Sequence, residues 1–188
     1  MILPIVAFGT PVLKQKAKVI PQDYPMLEKL IEDMFETMYA ANGVGLAAPQ
    51  IAKSIRLFIV DGSPFSDEEK DMEDFCKVFI NPEIISEQGS EWDFNEGCLS
   101  IPTIREDISR KSTIRIKYQD ENFNTIEETY DGTKARIIQH EYDHLEGILF
   151  TDYLSPLKKR LLKSKLSNIS KGKVKVDYRM KYPQIKGR

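Results

Sequence analysis

The chain has 188 residues, of which 41% are hydrophobic and 30% are charged, and its formal net charge is −2. This length and composition predict a single domain, 1–188, with a core large enough to be stable without disulfides. The first nine residues contain no basic residue and are interrupted by Pro4 and Gly9, so we expect neither a signal peptide nor a membrane-spanning helix there.

Residues 25–41 are predicted to form the first helix, after an extended segment that wraps the body. Apolar residues recur at the i, i+3, i+4, i+7 spacing of one helix face, and Asn42-Gly43 is a standard helix end. We interpret the methionine and aromatic stripe of this helix as core.

Residues 43–50 read GVGLAAPQ and contain no charged side chain. The two glycines around Val44 permit a sharp turn and leave backbone N–H and C=O groups accessible to a bound chain. The alternative is a packing loop between a helix and a strand, and the segment on its own favours this alternative. No phosphate-loop lysine follows, which argues against a nucleotide site.

Apolar or alternating runs bounded by turn residues are predicted to be strands. They are residues 55–60, a strand pair formed by 77–81 and 84–85, and the two runs 112–119 and 125–130. The last two form a hairpin through a turn at 120–124. The acidic residues 66–74 are predicted to be an exposed insertion.

Cys98 follows Gly97 in a turn-rich segment, 92–102, that is too short for a helix. A free cysteine is commonly a small buried hydrophobe, and we interpret Cys76 as structural. A thiolate is also a good ligand for a transition metal. Without a predicted export signal the chain is expected in the reducing cytoplasm, where both cysteines are free thiols or one is a ligand.

Both histidines of the chain lie four residues apart in a predicted helix, 135–147, that continues the hairpin. Residues i and i+4 share a helix face, so His140 and His144 can bind one small cation there. Glu141 lies about 100° further round, where it can reach a water held by that cation. Asp131 or Thr133 is expected to cap the helix. The alternative is a pair of partly buried polar residues without a metal.

The H-E-x-x-H segment leaves the third ligand undetermined. Gly147 fits the longer motif of one peptidase class, but Phe150 occupies the third ligand position of that motif and excludes the class. Downstream of the helix the only carboxylates are Asp152 and Asp177. The third ligand is therefore one of these or an upstream residue, and the Cys98 thiolate suits the need.

The C-terminal segment, 158–188, has twelve of the 27 basic residues and only one of the 29 acidic residues, Asp177. Apolar residues at helical spacing predict a basic amphipathic helix that packs its apolar stripe on the body. The stripe consists of Leu157, Leu161, Leu162, Leu166 and Ile169. The residues after Gly172 are predicted to be a short strand or a disordered arm. The basic charge is either a solvated surface or a site for nucleic-acid phosphates.

Three segments, 43–50, 96–100 and 139–144, read GVGLAAPQ, EGCLS and QHEYDH. Together and in this order they closely resemble the three signature motifs of the peptide deformylase family, over about residues 1–165. The resemblance implies an α+β fold, with antiparallel sheets packed around a central metal-binding helix and a C-terminal helix. It implies a hydrolase that removes the formyl group from the formylmethionine of nascent bacterial or organellar chains.

The resemblance also implies a role for each matching residue. The metal ligands are Cys98, His140 and His144, the acid/base is Glu141, and the oxyanion donors are the Gln50 amide and the Leu99 N–H. The substrate-binding residues are Gly43, Val44, Gly45, Arg105 and Ile137. The cofactor is one divalent transition metal, with Fe(II) expected and Ni, Co or Zn possible. Arg136 departs from the pattern, because the family often has an apolar residue near this position at the pocket rim.

The expected partners are N-formylmethionyl nascent peptides and, through the basic segment 158–188, the ribosome. Deformylases of this general kind use a C-terminal helix in this way. A membrane surface is the weaker alternative, because the core needs the apolar stripe of the helix. The competing functions are a metallopeptidase that cleaves internal amides and a non-enzymatic module that captures peptide ends. The module would have no use for Glu141 or Gln50.

Overall fold

The computed structural model describes residues 1–183, so the end of the predicted basic tail, 184–188, lies outside the described residues. These 183 residues contain three α-helices: α1 (Leu27–Ala40), α2 (Gly132–Leu145) and α3 (Pro156–Ser170). The strands are β1 (Ile5–Val6), β2 (Gly45–Ala47), β3 (Leu57–Asp61), β4 (Cys76–Cys98), β5 (Ile101–Gln119), β6 (Thr125–Asp131) and β7 (Met180–Lys181). The predicted α+β class is confirmed.

Helix α1 forms where the amphipathic pattern predicted it. Met34 and Met38, from the predicted stripe, are fully buried, which confirms that the methionines are core, whereas Tyr39 of the same stripe is 50% exposed. The helix ends at Ala40, the chain turns as expected at Asn42, whose φ of 53° is left-handed, and the Gly43 N–H donates to the Met38 carbonyl at 2.9 Å. This cap aims the chain into the glycine-containing segment 43–50.

A five-stranded antiparallel sheet, in the order β2-β3-β4-β5-β6, forms the body. The prediction of a strand pair at 77–81 and 84–85 was wrong, because both runs belong to the single strand β4. Pro82 lies at a register shift between Ile80 and Glu83. A bulge admits a residue that lacks a backbone donor, so the strand continues through the proline.

The hairpin of β5 and β6 confirms the pairing predicted for 112–119 and 125–130. Helix α2 follows β6 directly, through Gly132 at φ +55°. Asp131 is the N-cap residue, but its side chain makes no capping hydrogen bond. Gly147 follows the helix end at φ +74°, and a Cβ there would lie 2.8 Å from the Lys14 carbonyl carbon. Helix α2, which carries both histidines, therefore begins directly after β6, an edge strand of the sheet.

The apolar face of α2 packs on the sheet. Ala135, Ile138 and Leu145 are fully buried in a cluster with the aromatic pair Phe58 and Phe79 from β3 and β4. No helix within residues 1–183 is both long enough and apolar enough to cross a membrane.

The acidic segment 66–74 is not simply an exposed insertion, as the sequence predicted. Met72 is fully buried in the core cluster that contains Phe75. Asp71 forms an ion pair with Lys134 at 2.6 Å, which ties the segment to the start of α2. The charged residues made the segment look solvated, but one methionine anchors it.

Helix α3 begins at the Ser155 cap and confirms the predicted C-terminal helix. Its predicted apolar stripe was partly wrong. Leu162 and Ile169 are buried, whereas Leu157 and Leu161 are 67% and 70% exposed. The buried face of α3 is therefore narrower than the apolar stripe that the sequence predicted.

The chain after α3 returns to the N-terminal segment, where β7 pairs with β1 in parallel. The Ile5 N–H donates to the Arg179 carbonyl and the Ala7 N–H to the Lys181 carbonyl, both at 2.9 Å. Of the two predicted alternatives for this segment, the short strand is thus the one observed through residue 183.

Candidate active site

The two histidines of α2 and the end of β4 converge on one point. His140 and His144 lie one turn apart, and Cys98, the last residue of β4, faces them. The three ligand atoms lie within 4.8 Å of one another, and Cys98 Sγ is 3.4 Å from His144 Nε2. Within residues 1–183 neither Asp152 nor Asp177 belongs to this cluster. Of the candidates for the third ligand, the fold brings Cys98 to the histidines.

Glu96 orients His140 from behind. Its Oε2 lies 2.9 Å from His140 Nδ1, so Nδ1 donates the proton and Nε2 is left as the free lone pair. Glu96 also accepts from Arg110 and Arg136, and Arg110 donates onward to Asp143 at 2.6 Å. The carboxylate is thus held in its ionised form by two guanidinium groups.

Glu141 points into the same space from the next position on the helix. A Cβ at Gly45 would collide with its carboxylate, so only glycine permits this approach. Glu141 Oε2 is buried and has no hydrogen-bond partner in the described residues. Burial raises the pKa of Glu141 to about 7, which suits a group that exchanges protons.

The residues present fit a divalent transition metal. Burial opposes the charged form of both histidines, but hydrogen bonds to Cys98 and Glu96 hold the pKa of His140 well above its ordinary value. Burial and the neighbouring His140 charge hold the pKa of His144 well below it. The neutral form of His144 is the form in which an imidazole binds a metal. One sulfur and two imidazole nitrogens are donors that iron, nickel, cobalt and zinc accept.

The amide of Gln50 is aimed at this cluster by its own carbonyl oxygen. The Ala47 N–H donates to Gln50 Oε1 at 2.8 Å. Gln50 Nε2 is then 3.5 Å from Cys98 Sγ and 3.4 Å from Ser100 Oγ. The contact with Ser100 is long for a hydrogen bond to oxygen, and a thiol sulfur is a weak acceptor, so the amide can donate to a better acceptor.

The segment 43–47 forms the free edge of the main sheet, since β2 is the outermost strand. The Asp61 N–H donates to the Val44 carbonyl at 2.9 Å, so that carbonyl is already satisfied. Backbone groups alternate in direction along an antiparallel strand, so those of Gly45 face the open edge. An extended peptide can add to such an edge as a further strand.

A cleft of about 560 Å³ runs along this edge and ends at the cluster. All of the predicted site residues except His144 line it. Ile137 contributes a buried apolar wall, and Arg105 lies at the exposed end, where it donates to Asn95 Oδ1 at 2.8 Å. The fold thus brings all three segments with recognisable motifs to one cavity.

The sequence model of the polypeptide deformylase family matches residues 2–160. The chain belongs to the polypeptide deformylase family. A peptide deformylase of Christiangramia forsetii is 60% identical over 99% of this chain and 98% of its own length. The crystal structures of peptide deformylases from Legionella pneumophila and Thermotoga maritima superimpose with TM-scores of 0.79 and 0.75. The Legionella protein is 38% identical, and the match covers 92% of this chain and 98% of that protein. The Thermotoga protein is 40% identical, and the match covers 83% of this chain and 99% of that protein.

Deformylase membership identifies the chain as a metal-dependent hydrolase that removes the N-formyl group from new polypeptides. The competing metallopeptidase and binding-module functions are not favoured.

Arg136, which the sequence analysis expected at the pocket rim, does not carry a free charge there. It is 1% exposed, and its guanidinium lies over the Trp92 ring at 4.7 Å. It donates to the carbonyls of Trp92 and Ile108, both at 2.6 Å, and to Glu96 at 3.0 Å. These hydrogen bonds connect α2 to β4 and β5. Because the Arg136 charge is paired with Glu96, it adds no uncompensated charge to the deformylase pocket.

Sequence reasoning missed Glu96, Arg110 and the C-terminal residues 176–178. Glu96 had a signal, since it stands two residues before Cys98 and strand alternation puts both on one face. Val176, Asp177 and Tyr178 line the deformylase cleft, and nothing in their local sequence points there.

Proposed function

We propose that this cleft deformylates the N-terminal formylmethionine of nascent chains with Glu141 as the acid/base and Cys98, His140 and His144 as the ligands of one divalent transition metal. The observation that carries the proposal is the convergence of three donor atoms beside an unpartnered, buried Glu141 oxygen at the end of an open sheet edge. A closed structural site would have no need of that carboxylate.

We expect Fe(II) to be the physiological metal, with nickel, cobalt or zinc able to replace it. When bound, the metal supplies a Lewis acid and activates a water molecule for attack on the formyl carbon. One thiolate and two neutral imidazoles leave such a site with a net charge of +1. The cysteine makes iron loading sensitive to oxygen, so metal content is best measured after anaerobic purification.

Glu141 moves the proton. Its carboxylate takes a proton from the attacking water and delivers it to the amine nitrogen as the C–N bond breaks, so formate and a free amino terminus are produced. The Gln50 amide and the Leu99 N–H donate to the oxygen of the formyl group as negative charge develops on it. Removing one of two such donors typically costs about 10²–10³ in turnover, and we expect this for Gln50→Ala.

The substrate is held as an added strand along residues 43–45. The Gly45 backbone groups that face the open edge are the natural partners of the peptide backbone. Val44 and Ile137 enclose the methionine side chain, and Arg105 contacts the substrate backbone further along the cleft. In this arrangement the short β2 edge selects an extended N-terminus.

A paired assay tests the function. Formyl-Met-Ala-Ser and acetyl-Met-Ala-Ser share every contact except the methyl group on the acyl carbon. We expect turnover of the formyl peptide and little of the acetyl peptide, followed by the release of formate. Equal hydrolysis of both peptides, or cleavage at an internal amide, would support the metallopeptidase alternative.

We further propose that this single domain, 1–188, acts in the cytoplasm and that its basic segment 158–188 docks on ribosomal RNA. Lys158 is paired with Glu106 at 2.8 Å and Lys159 donates to the Asp152 carbonyl at 2.7 Å. The charges of α3 best placed for phosphate contacts are therefore Arg160, Lys163 and Lys165. Each phosphate contact contributes roughly 0.7–0.9 to the slope of log affinity against log salt.

Charge reversal tests the docking. The double variant Arg160→Glu/Lys163→Glu should weaken ribosome binding and reduce its salt dependence, while deformylation of a short peptide stays unchanged. The matched control is Lys53→Glu/Lys117→Glu, which reverses two exposed lysines away from α3. Equal ribosome binding by both double variants would return the segment to an ordinary solvated surface. Truncation after Gly172 is a poorer test, because it also removes residues that line the cleft.

A further inference from the structure

The segment 173–183, here called the C-terminal arm, lies beyond the part of the chain that matches the family model. It leaves α3 at Gly172, whose φ of +71° reverses the chain and whose Cα faces the Tyr182 ring. Its far end is fixed by the pairing of β7 with β1. The arm is therefore held at both ends, and its middle lines the cleft.

The middle of the arm, 176–178, lines the same cleft as residues 43–45. The Tyr178 hydroxyl donates to the Leu99 carbonyl at 2.7 Å. The Tyr178 ring is half-buried and packs in the same apolar cluster as Leu99. This one side chain thus holds the turn between β4 and β5 from the outside.

The turn held by Tyr178 is the one that carries the proposed oxyanion donor, the Leu99 N–H. Leu99 lies between Cys98 at the end of β4 and Ile101 at the start of β5. The carbonyl and the N–H of Leu99 are attached on either side of the same Cα. A hydrogen bond that fixes the carbonyl therefore restricts the orientation of the N–H. Preorganised donors are worth more than mobile ones, since no reorganisation is needed as charge develops.

Asp177 adds a charge to the same wall. The cleft has two other carboxylates: Glu96 is neutralised by Arg110 and Arg136, and Glu141 lies at the reacting end. Asp177 is exposed and has no hydrogen bond or ion pair within residues 1–183. Arg105, a cation that also lines the cleft, donates to the Asn95 side chain and to the Asn95 carbonyl. The Asp177 carboxylate is therefore free to meet a cationic group on the substrate.

We propose that the C-terminal arm is the outer wall of the substrate cleft, in which Tyr178 positions the Leu99 turn and Asp177 favours cationic side chains in the residues that follow the formylmethionine. This inference rests on the proposed function of the cleft. It assigns to the arm a part in deformylation that is separate from docking by α3.

Tyr178→Phe tests the positioning role, because it removes the hydroxyl and keeps the ring. The loss of one hydrogen bond predicts a fall in kcat of about two- to tenfold on formyl-Met-Ala-Ser, with KM and metal content close to those of the wild type and Tm lower by about 1–6 °C. Tyr182→Phe removes a hydroxyl from the same arm outside the cleft and should change none of these. A wild-type kcat in Tyr178→Phe, or an equal loss in both variants, would overturn the positioning role.

Two substrates test the charge preference. The ratio of kcat/KM for formyl-Met-Ala-Lys-amide to that for formyl-Met-Ala-Glu-amide should be above one in the wild type. It should fall by about threefold or more in Asp177→Lys, as expected for a partly screened charge pair. Glu121→Lys makes the same charge change in the turn between β5 and β6 and should leave the ratio unchanged. A ratio that moves equally in both variants, or in neither, would overturn the preference.

Failure of the arm proposal is distinguishable from failure of the proposed function. If the cleft is not the deformylase site, the wild type does not release formate or Glu141→Ala remains active. If only the arm proposal fails, the wild type deformylates, Glu141→Ala does not, and the arm variants match the wild type.

Discussion

Glu96 is the shared acceptor of a buried charge network, and Glu96→Gln measures what that network contributes. Its side chain is 3% exposed and accepts from Arg110 Nε at 2.7 Å, Arg110 Nη2 at 3.0 Å and Arg136 Nη1 at 3.0 Å. His140 Nδ1 lies 2.9 Å away. In the variant, two buried guanidinium groups have only Asp143 as a carboxylate partner within residues 1–183.

The magnitude follows from the charge that remains. Removing one partner of a buried ion pair costs about 3–5 kcal/mol, because the other charge is neither solvated nor paired. Glutamine keeps one carbonyl acceptor, so we expect a loss near the lower value, about 3 kcal/mol in the free energy of unfolding. The matched control is Glu127→Gln. Glu127 pairs with Arg115 at 2.9 Å but is 47% exposed, and exposed pairs contribute about 0.2–1 kcal/mol.

Urea unfolding at neutral pH is the assay, performed on chelated and on metal-loaded protein. The free energy of unfolding of the chelated protein measures the contribution of the charge network alone. The difference in this free energy between the metal-loaded and chelated forms measures the stabilisation by bound metal. Because Glu96 fixes the ring and tautomer of His140, metal affinity should also fall by about 10–100-fold. If Glu96→Gln cost no more than Glu127→Gln in the chelated protein, the reasoning would be refuted.

Cys98→Ala is expected to lose bound metal and Cys76→Ala to keep it, as metal analysis of the purified variants would show; full occupancy in Cys98→Ala would contradict the ligand assignment. Glu141→Ala should bind metal but deformylate a formyl-Met peptide at least about 10²-fold more slowly, and a near wild-type rate would sink the proton-transfer role. Burial acts to raise the pKa of Glu128, but nearby hydroxyl and ammonium donors prevail and hold it below its ordinary value of 4.5. A lowered folded pKa means that this carboxylate stabilises the fold above pH 4.5 and that the contribution is lost as pH falls through the folded value. Glu128→Gln should therefore flatten the acid limb of Tm against pH, and an unchanged slope would count against this.

Much of the site could be predicted because its signals are local. The i, i+4 spacing of His140 and His144 requires only that the segment be helical, and the hairpin before it follows from alternation and a turn. Local spacing did not decide the third ligand. Three distant motifs in a fixed order pointed to Cys98, and the sheet then placed it against the histidines.

The sequence by itself determined the three helices, the β5–β6 hairpin, the family and the three candidate metal ligands, since these depend on residues close in the chain or on recognisable motifs. Only the tertiary structure decided which faces are buried and what lies across the cleft. Met72 in an acidic segment is buried, Leu161 in an apolar stripe is exposed, and Tyr178 reaches Leu99 across 79 residues. Hydrophobic periodicity identifies the apolar face of a helix, but it does not determine how much of that face is covered by the rest of the protein. Contacts between distant segments depend on the path of the whole chain, so no local pattern carries them.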